Sequence, residues 1–574
     1  MKKLFKSIGL VLNKFNNFFT NNEIASFLVV FGFFLISFLL IYMNLPVLSS
    51  SDDHYFHFRF AERFIQNGFF SSFSDFKSIY FTNVASGEHL LYYNFLFYAA
   101  LVPFTFITPL FLGIKLYAVV IISLIGVILF QFIKNMGIKY PFLWAVGFFA
   151  SIGLSSFFRL FLSRPYVFSP LIILLLILVI HRKKYFWIFF LSFIPLFWHT
   201  STFFVPILVA IVYFLVYAFY KKEYLWKELL LVFFSNLLSV IIAILIDPGF
   251  FISIKDNLFS VLSSVLNFSG STLDVINEGG EVYPKNFFDL FNQNMFLCVM
   301  FLSASVIFAL SFLKEIKNIL SFDNIQKSKK IITSVFFVLS SVFIVAIPNI
   351  SNRFADFFIF FAWIFIALIF SEVFYYVEFT KISLKKTLGY AVFVCLIYLF
   401  LNNGLQLNQT FANSGSRPET FSEIGNYLSK NLKKGEVVYN VTWNWFPQLY
   451  YYAPEQNYVI GLEPKLTYLY SPKIYWLWQN ISKGYVCETE KCPEKDLERD
   501  RSFRKRDLFL KWSKNEGDKI ANTIINDFKS HYVVSSKEFG YLNNVLDNNK
   551  NFKKVVNSKD QYFIYRILTP LNEK

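Results

Sequence analysis

Long apolar runs separated by short, often basic loops fill the first 400 residues of the chain. An apolar run of about 20 residues crosses a bilayer as a helix, because only a helix satisfies its own backbone in hydrocarbon. Eleven runs qualify: 24–47, 113–133, 140–157, 166–180, 185–198, 203–220, 228–246, 295–313, 331–347, 354–372 and 387–402. With the N-terminus inside, Lys134 and Lys139, the cluster His181-Arg182-Lys183-Lys184, Lys221 and Lys222, the 314–330 loop and the 381–386 segment all fall inside as well. The parity of the spans thereby closes with these basic loops inside, while the outward arginines run against the positive-inside bias. The run 90–106 is apolar enough to span, but counting it inverts every later loop. It is read as an interfacial helix broken at Pro103 and Pro109, with an ordinary span as the alternative.

Outward segments are then 48–112, 158–165, 247–294, 348–353 and everything after about 403. The last is large enough for a core of its own. Helical stretches at 419–432 and 466–481 alternate there with strand-like runs at 436–441, 458–460 and 532–534. Such alternation predicts a mixed α/β unit. The stretch 488–506 carries both charge signs densely and reads as an exposed insertion. The expected architecture is a polytopic α-helical membrane domain of about 11 transmembrane helices over 1–403, followed by an extracytoplasmic soluble α/β domain over 404–574.

Composition agrees with that pattern. Of 574 residues, 55% are hydrophobic and only 16% charged, which excludes an ordinary soluble enzyme. The net charge of +16 does not imply nucleic acid, since Lys2, Lys3, Lys6, Lys14 and the inside loops hold most of the excess. No small-residue cleavage site follows the first apolar run, so it is read as a retained anchor in a multi-pass cell-membrane protein. Cys298 and Cys395 lie in apolar runs and are read as packing residues. Cys487 and Cys492 can pair if their region faces an oxidising compartment. No Gly-rich phosphate loop is present, so a cytosolic nucleoside triphosphate is not the expected donor.

The densest polar run directly follows the first span: Ser51-Asp52-Asp53-His54-Tyr55-Phe56-His57-Phe58-Arg59. Charges at a membrane face are costly, which marks a site; a solvated loop is the plain alternative. Asp52 or Asp53 can act as a general base toward an acceptor or can hold a divalent cation. His57 stands one helical turn after Asp53, so the two share a face and can couple. Asn277-Glu278-Gly279-Gly280-Glu281-Val282-Tyr283-Pro284 reads either as a mobile lid carrying an acid or as a plain turn. Arg353, Arg159 and Arg164 are outward arginines that offer bidentate donors to a phosphate, or else anchor at the interface. His199, following Trp198, reads as an interfacial residue.

These elements, in this order, resemble the GT-C glycosyltransferase superfamily, and within it the catalytic subunits of oligosaccharyltransferases. Asp53-His54-Tyr55-Phe56-His57-Phe58-Arg59 is similar to that family's first-loop motif. Glu281-Val282-Tyr283-Pro284 resembles its mobile-loop acid, and Arg353-Phe354-Ala355-Asp356 its Arg-Phe motif for the donor pyrophosphate. Thr442-Trp443-Asn444-Trp445-Phe446 stands where its Trp-Trp-Asp acceptor motif opens the outward domain. Two departures are plain. The stretch Arg164-Pro165-Tyr166-Val167-Phe168-Ser169 lacks the acidic pair that holds the family's metal, and Asn444 replaces the acceptor-motif Asp.

The resemblance implies an integral membrane glycosyltransferase that moves a sugar or oligosaccharide from a polyprenyl (pyro)phosphate donor to an extracytoplasmic protein, lipid or glycan acceptor. Asp53, with Glu281, Asp52 and His57, is its expected catalytic group. Arg353, Arg164, Arg159 and Arg59 are expected to bind donor phosphate, and Trp443, Asn444 and Trp445 the acceptor. A divalent cation, Mg or Mn, is expected on Asp53 only if other ligands replace the missing acidic pair. Two alternatives of other classes stand beside this reading: a lipid-linked oligosaccharide or polysaccharide transporter, and a catalytically degenerate glycan-binding scaffold.

Overall fold

The computed structural model describes residues 22–45, 53–66, 94–246, 286–311, 327–349, 352–376, 382–414 and 418–568, apart from 463, 465–466, 469–470, 504–505 and 560. The chain begins with α1 (Glu23–Tyr42), α2 (Asp53–Gln66), α3 (Phe95–Thr105) and α4 (Leu110–Asn135). It continues through α5 (Pro141–Ser151), α6 (Leu154–Leu160), α7 (Ser169–His181), α8 (Tyr185–Trp198), α9 (Val205–Lys221) and α10 (Trp226–Ile246). Then come α11 (Phe287–Gln293), α12 (Met295–Leu310), α13 (Lys327–Asn349), α14 (Ala355–Tyr376) and α15 (Ile382–Ser414).

Among the described residues, six helices are long and apolar enough to cross a membrane, or eight if each of two bent pairs is one span. Their outer faces carry the mark of lipid contact. On α1, Val30, Phe34, Phe38 and Tyr42 are buried in one stripe, while Ile24, Leu28, Ile36 and Leu40 are exposed on the other side. In water such a face would drive aggregation; in hydrocarbon it is at no disadvantage.

The apolar run at 140–157 differs from expectation, and the helix of the run at 295–313 follows a bend just ahead of it. The first breaks into α5 and α6, bent by 111°, and the second is preceded by α11 at 105° to α12. The two breaks meet. Gly153 N donates to Asn294 Oδ1 at 3.0 Å and Ser156 Oγ donates to the same oxygen at 2.9 Å. A Cβ on Gly153 would lie 1.4 Å from the Gln293 carbonyl oxygen, so only glycine permits the approach. Asn403 Nδ2 donates to the Phe149 and Ala150 carbonyls at 3.2 Å, capping the end of α5 where its ladder stops. The helices α7 and α8, of 13 and 14 residues, are shorter than a full bilayer crossing of about 20 residues. Helix α3 runs through Pro103 and ends at Thr105, so Pro109, just before α4, is the break while Pro103 is not.

The C-terminal unit contains α16 (Ser422–Asn431), α17 (Phe446–Tyr452), α18 (Pro472–Ser482), α19 (Pro493–Phe503), α20 (Arg506–Asn526) and α21 (Gly540–Asp547). Its strands are β1 (Val437–Asn440), β2 (Asn457–Tyr458), β3 (Ser530–Ser536), β4 (Phe552–Ser558) and β5 (Tyr562–Ile567), in the sheet order β2-β1-β3-β5-β4. β1 is parallel to β2 and β3, whereas β5 is antiparallel to β3 and β4. The stretch 488–506 is largely the helix α19, with most of its described residues exposed; Lys495 bridges Glu516 at 2.6 Å and the Arg499 guanidinium stacks 4.5 Å from the Tyr541 ring. Cys487 and Cys492 form a disulfide beside it. Cys298 is buried as expected, but Cys395 is exposed on α15.

Candidate active site

Helix α2 opens on Asp53, where the free N–H groups of the first turn favour a carboxylate. Behind it the aromatic residues of the run are core. Tyr55, Phe56, Phe58 and Phe60 are buried, Phe58 packing on Tyr117 of α4 and Phe56 on Phe446 and Tyr450 of α17. The helix is thus wedged between the spans and the C-terminal unit, with Asp53 at one end.

The short segment after the first broken span gathers the charges. Arg164 Nη2 bridges Asp53 Oδ2 at 2.6 Å. One turn of α6 upstream, Arg159 grips Asp356 with two bonds, Nε to Oδ1 at 3.1 Å and Nη2 to Oδ2 at 2.9 Å. Its guanidinium also lies 4.6 Å from the Tyr166 ring. Asp356 lies in the first turn of α14, three residues after Arg353, so this fork fixes the Arg353 turn against the same segment. The Pro165 carbonyl accepts from Trp198 Nε1 at 2.9 Å, and Ser169 Oγ contacts His199 Nδ1 at 3.2 Å. His199 Nε2 contacts Ser201 Oγ at 2.8 Å. His199 sits in the turn between α8 and α9, where burial and the positive charge of Arg353 both lower its pKa.

His57 shares the Asp53 face, but its direct partner is Tyr98 of α3, 2.8 Å from Nδ1. Burial lowers its pKa to about 3 against the opposing pull of Asp53, with Arg164 and His54 lowering it further. At neutral pH it is therefore an uncharged imidazole, a hydrogen-bonding group and not a charged one.

The sequence-derived residues divide as follows. Asp53 pairs with Arg164 and Arg159 with Asp356 at the 154–169 segment, while His57 feels the charges of Asp53 and Arg164 and His199 that of Arg353. Asp52 and Glu281 lie outside the described residues. Arg59, expected on the donor phosphate, is committed elsewhere: it pairs with Glu62, its Nε donates to the Tyr451 carbonyl at 2.8 Å, and it stacks on the Tyr451 ring. Arg63 continues that clamp through the Pro454 carbonyl at 2.5 Å and Glu455 at 2.6 Å. Trp445 is buried against Phe421, Phe539 and Tyr562, which leaves Trp443 and exposed Asn444 as the open part of the acceptor stretch. Tyr98 and Asp356 were not assigned roles from the sequence, although Asp356 stands three residues after Arg353, and His199 was read as an interfacial residue.

The resemblance implies a divalent cation, which requires several hard oxygen ligands. Among the described residues no three His, Cys, Asp or Glu side chains stand together to hold one. The two site carboxylates, Asp53 and Asp356, are each engaged by an arginine. The described residues do not fit a divalent cation.

Comparison with solved structures decides the fold. The oligosaccharyltransferase of Archaeoglobus fulgidus in its apo form superposes with a TM-score of 0.54 at 11% identity, covering 91% of this chain and 71% of that one. Its fold is the GT-C fold. The same archaeal enzyme, AglB, solved with an inhibitory peptide and a dolichol-phosphate, gives 0.54 at 12% identity over 95% of this chain and 75% of that one. ArnT from Cupriavidus metallidurans bound to undecaprenyl phosphate gives 0.50 at 11% identity, covering 95% of this chain and 98% of that one. No family profile and no curated protein sequence matches the chain.

Proposed function

We propose that this GT-C-fold protein is an integral membrane glycosyltransferase that takes a sugar or oligosaccharide from a polyprenyl (pyro)phosphate and passes it to an extracytoplasmic acceptor. The observation that carries this reading is the hub at 154–169, which gathers Asp53, Arg164, Arg159, Asp356 and the Arg353 turn at one end of the spans. Neighbours of the same fold have been solved with dolichol-phosphate, undecaprenyl phosphate and an acceptor peptide containing the NVT sequon, which supports a lipid phosphate as donor.

In this reading Arg353 and Arg164 receive the phosphate, whose charge suits their planar donors, while the polyprenyl tail lies among the spans. Asp53 accepts the acceptor's proton, neutral His57 with Tyr98 holds its flank, and Arg159 fixes the Arg353 turn through Asp356. Trp443 and Asn444 meet the acceptor. The acceptor itself is a protein, lipid or glycan. The reading includes eleven spans, a cytoplasmic N-terminus in the cell membrane, and division into a 1–403 membrane domain and a 404–574 outward domain. The Cys487–Cys492 disulfide supports an oxidising, outward setting for the latter. A transporter is less favoured because the charged cluster sits at the helix ends, not along a path through the bundle.

The test is Asp53→Ala in membranes supplied with labelled lipid-linked sugar. Transfer is expected to be lost while the protein stays inserted, with a melting midpoint lowered because Arg164 loses its partner; Arg164→Gln, which breaks the same pair but keeps the carboxylate, controls for that loss of stability. Full transfer by the variant sinks the assignment.

A further inference from the structure

The Asp53–Arg164 pair has a consequence beyond the site's outline. We propose that the Arg164 guanidinium takes the place of a divalent cation, so that this site handles a phosphate-linked donor without metal; this rests on the glycosyltransferase reading above.

The geometry favours a fixed cation at that point. Arg164 lies at a rigid corner: its N–H donates to the Leu162 carbonyl at 2.8 Å, and Pro165 begins a 3-10 turn next to it. The Pro165 carbonyl is tied to Trp198 and Ser169 at 2.9 and 3.2 Å. Both side chains of the pair are largely enclosed, with 18% of Arg164 and 25% of Asp53 exposed. A metal ion on Asp53 would have to displace the guanidinium from the carboxylate and then sit beside it, two like charges in a partly desolvated corner. Among the described residues, Asp356 does not serve as a replacement ligand, because Arg159 already holds both of its oxygens.

The transfer step balances on these groups. An acceptor O–H or N–H attacks the anomeric carbon, and the bond from that carbon to the phosphate oxygen breaks. The electron pair leaves on the phosphate, where Arg164 and Arg353 meet the developing charge, and the acceptor proton passes to the Asp53 carboxylate.

The experiment uses the full chain in detergent with two probes, Mn2+ alone and undecaprenyl phosphate alone. Free Mn2+ is followed by its electron paramagnetic resonance signal, and lipid phosphate by quenching of tryptophan fluorescence, with and without a chelator. Expected are no saturable Mn2+ uptake, lipid-phosphate binding unmoved by chelator, and at least tenfold weaker binding in Arg164→Gln, with Arg164→Lys intermediate. One equivalent of Mn2+ retained by the wild type and lost in Asp53→Asn overturns the proposal, as does lipid binding that collapses on chelation. Unchanged lipid affinity in Arg164→Gln overturns the guanidinium's role. A wild type that takes up neither probe refutes the donor reading itself, which separates the two failures. The Mn2+ titration needs no variant, so a misfolded substitution cannot decide it.

Discussion

Replacing Gly153 with alanine places a methyl group where two helix breaks touch. Its Cβ would lie 1.4 Å from the Gln293 carbonyl oxygen and 2.6 Å from the carbonyl carbon. Ordinary contact begins near 3.4 Å, so one break must retreat by about 2 Å. Forced overpacking costs about 1–3 kcal/mol. A retreat of that size also removes both donors from the buried Asn294 oxygen, now at 3.0 and 2.9 Å, adding about 1–3 kcal/mol. The sum is about 2–6 kcal/mol, enough to lower the melting midpoint by several degrees. Asn294→Ala serves as the control: it loses the hydrogen bonds without the clash and should cost about 1–3 kcal/mol. The assay is thermal unfolding of the purified chain in detergent, followed by intrinsic fluorescence. Because α6 carries Arg159 only six residues beyond Gly153, the alanine variant should also loosen the Arg159–Asp356 fork and weaken lipid-phosphate binding more than Asn294→Ala does. A Gly153→Ala protein that melts with the wild type would refute the claim that the two breaks are in contact.

Other consequences can be checked alongside. Since burial holds the His57 pKa near 3, below its unfolded value near 6.5, the unfolded chain takes up a proton there that the native chain refuses. This contribution therefore destabilises the fold as pH falls from about 6.5 toward 3, by at most about 1.4 kcal/mol per pH unit, and His57→Gln should flatten that part of a stability-versus-pH curve. Arg63→Ala removes two short charge-assisted contacts to the C-terminal unit; a loss of about 2 kcal/mol in unfolding and a raised acceptor KM with a smaller change in kcat are expected from denaturation and steady-state assays. Arg353→Lys keeps the charge but loses the planar fork, so the donor KM should rise about tenfold, the equivalent of 1.4 kcal/mol, while unfolding is unmoved.

Sequence patterning located most of the helices but not their bends. All eleven apolar runs contain helix, because hydropathy reads burial from water regardless of direction. The breaks at Gly153 and Asn294 were invisible because each depends on the other: a glycine and an asparagine are unremarkable until the second backbone is 3 Å away. In the C-terminal unit β1, β2 and β3 follow β-branched and tyrosine-rich runs, whereas β4 and β5, with Lys553, Lys554 and Arg566 among their residues, gave a weaker signal. At the site, Asp53 and the outward arginines stood out because charge near a membrane is rare. Their pairing did not. Nothing in the spacing tells that Arg164 reaches back to Asp53 or that Arg59 turns toward Tyr451, since both contacts are set by how α2 is wedged between the spans and α17. The departure at 164–169 was legible from the start; the contact of Arg164 with Asp53 was not.

The most direct test of the account is where a donor phosphate sits. A cryo-electron microscopy map of the full chain with undecaprenyl phosphate should place the phosphate between Arg353 and Arg164, next to Asp53. A phosphate bound at the other end of α14, beside the Lys329–Glu372 pair, would contradict it.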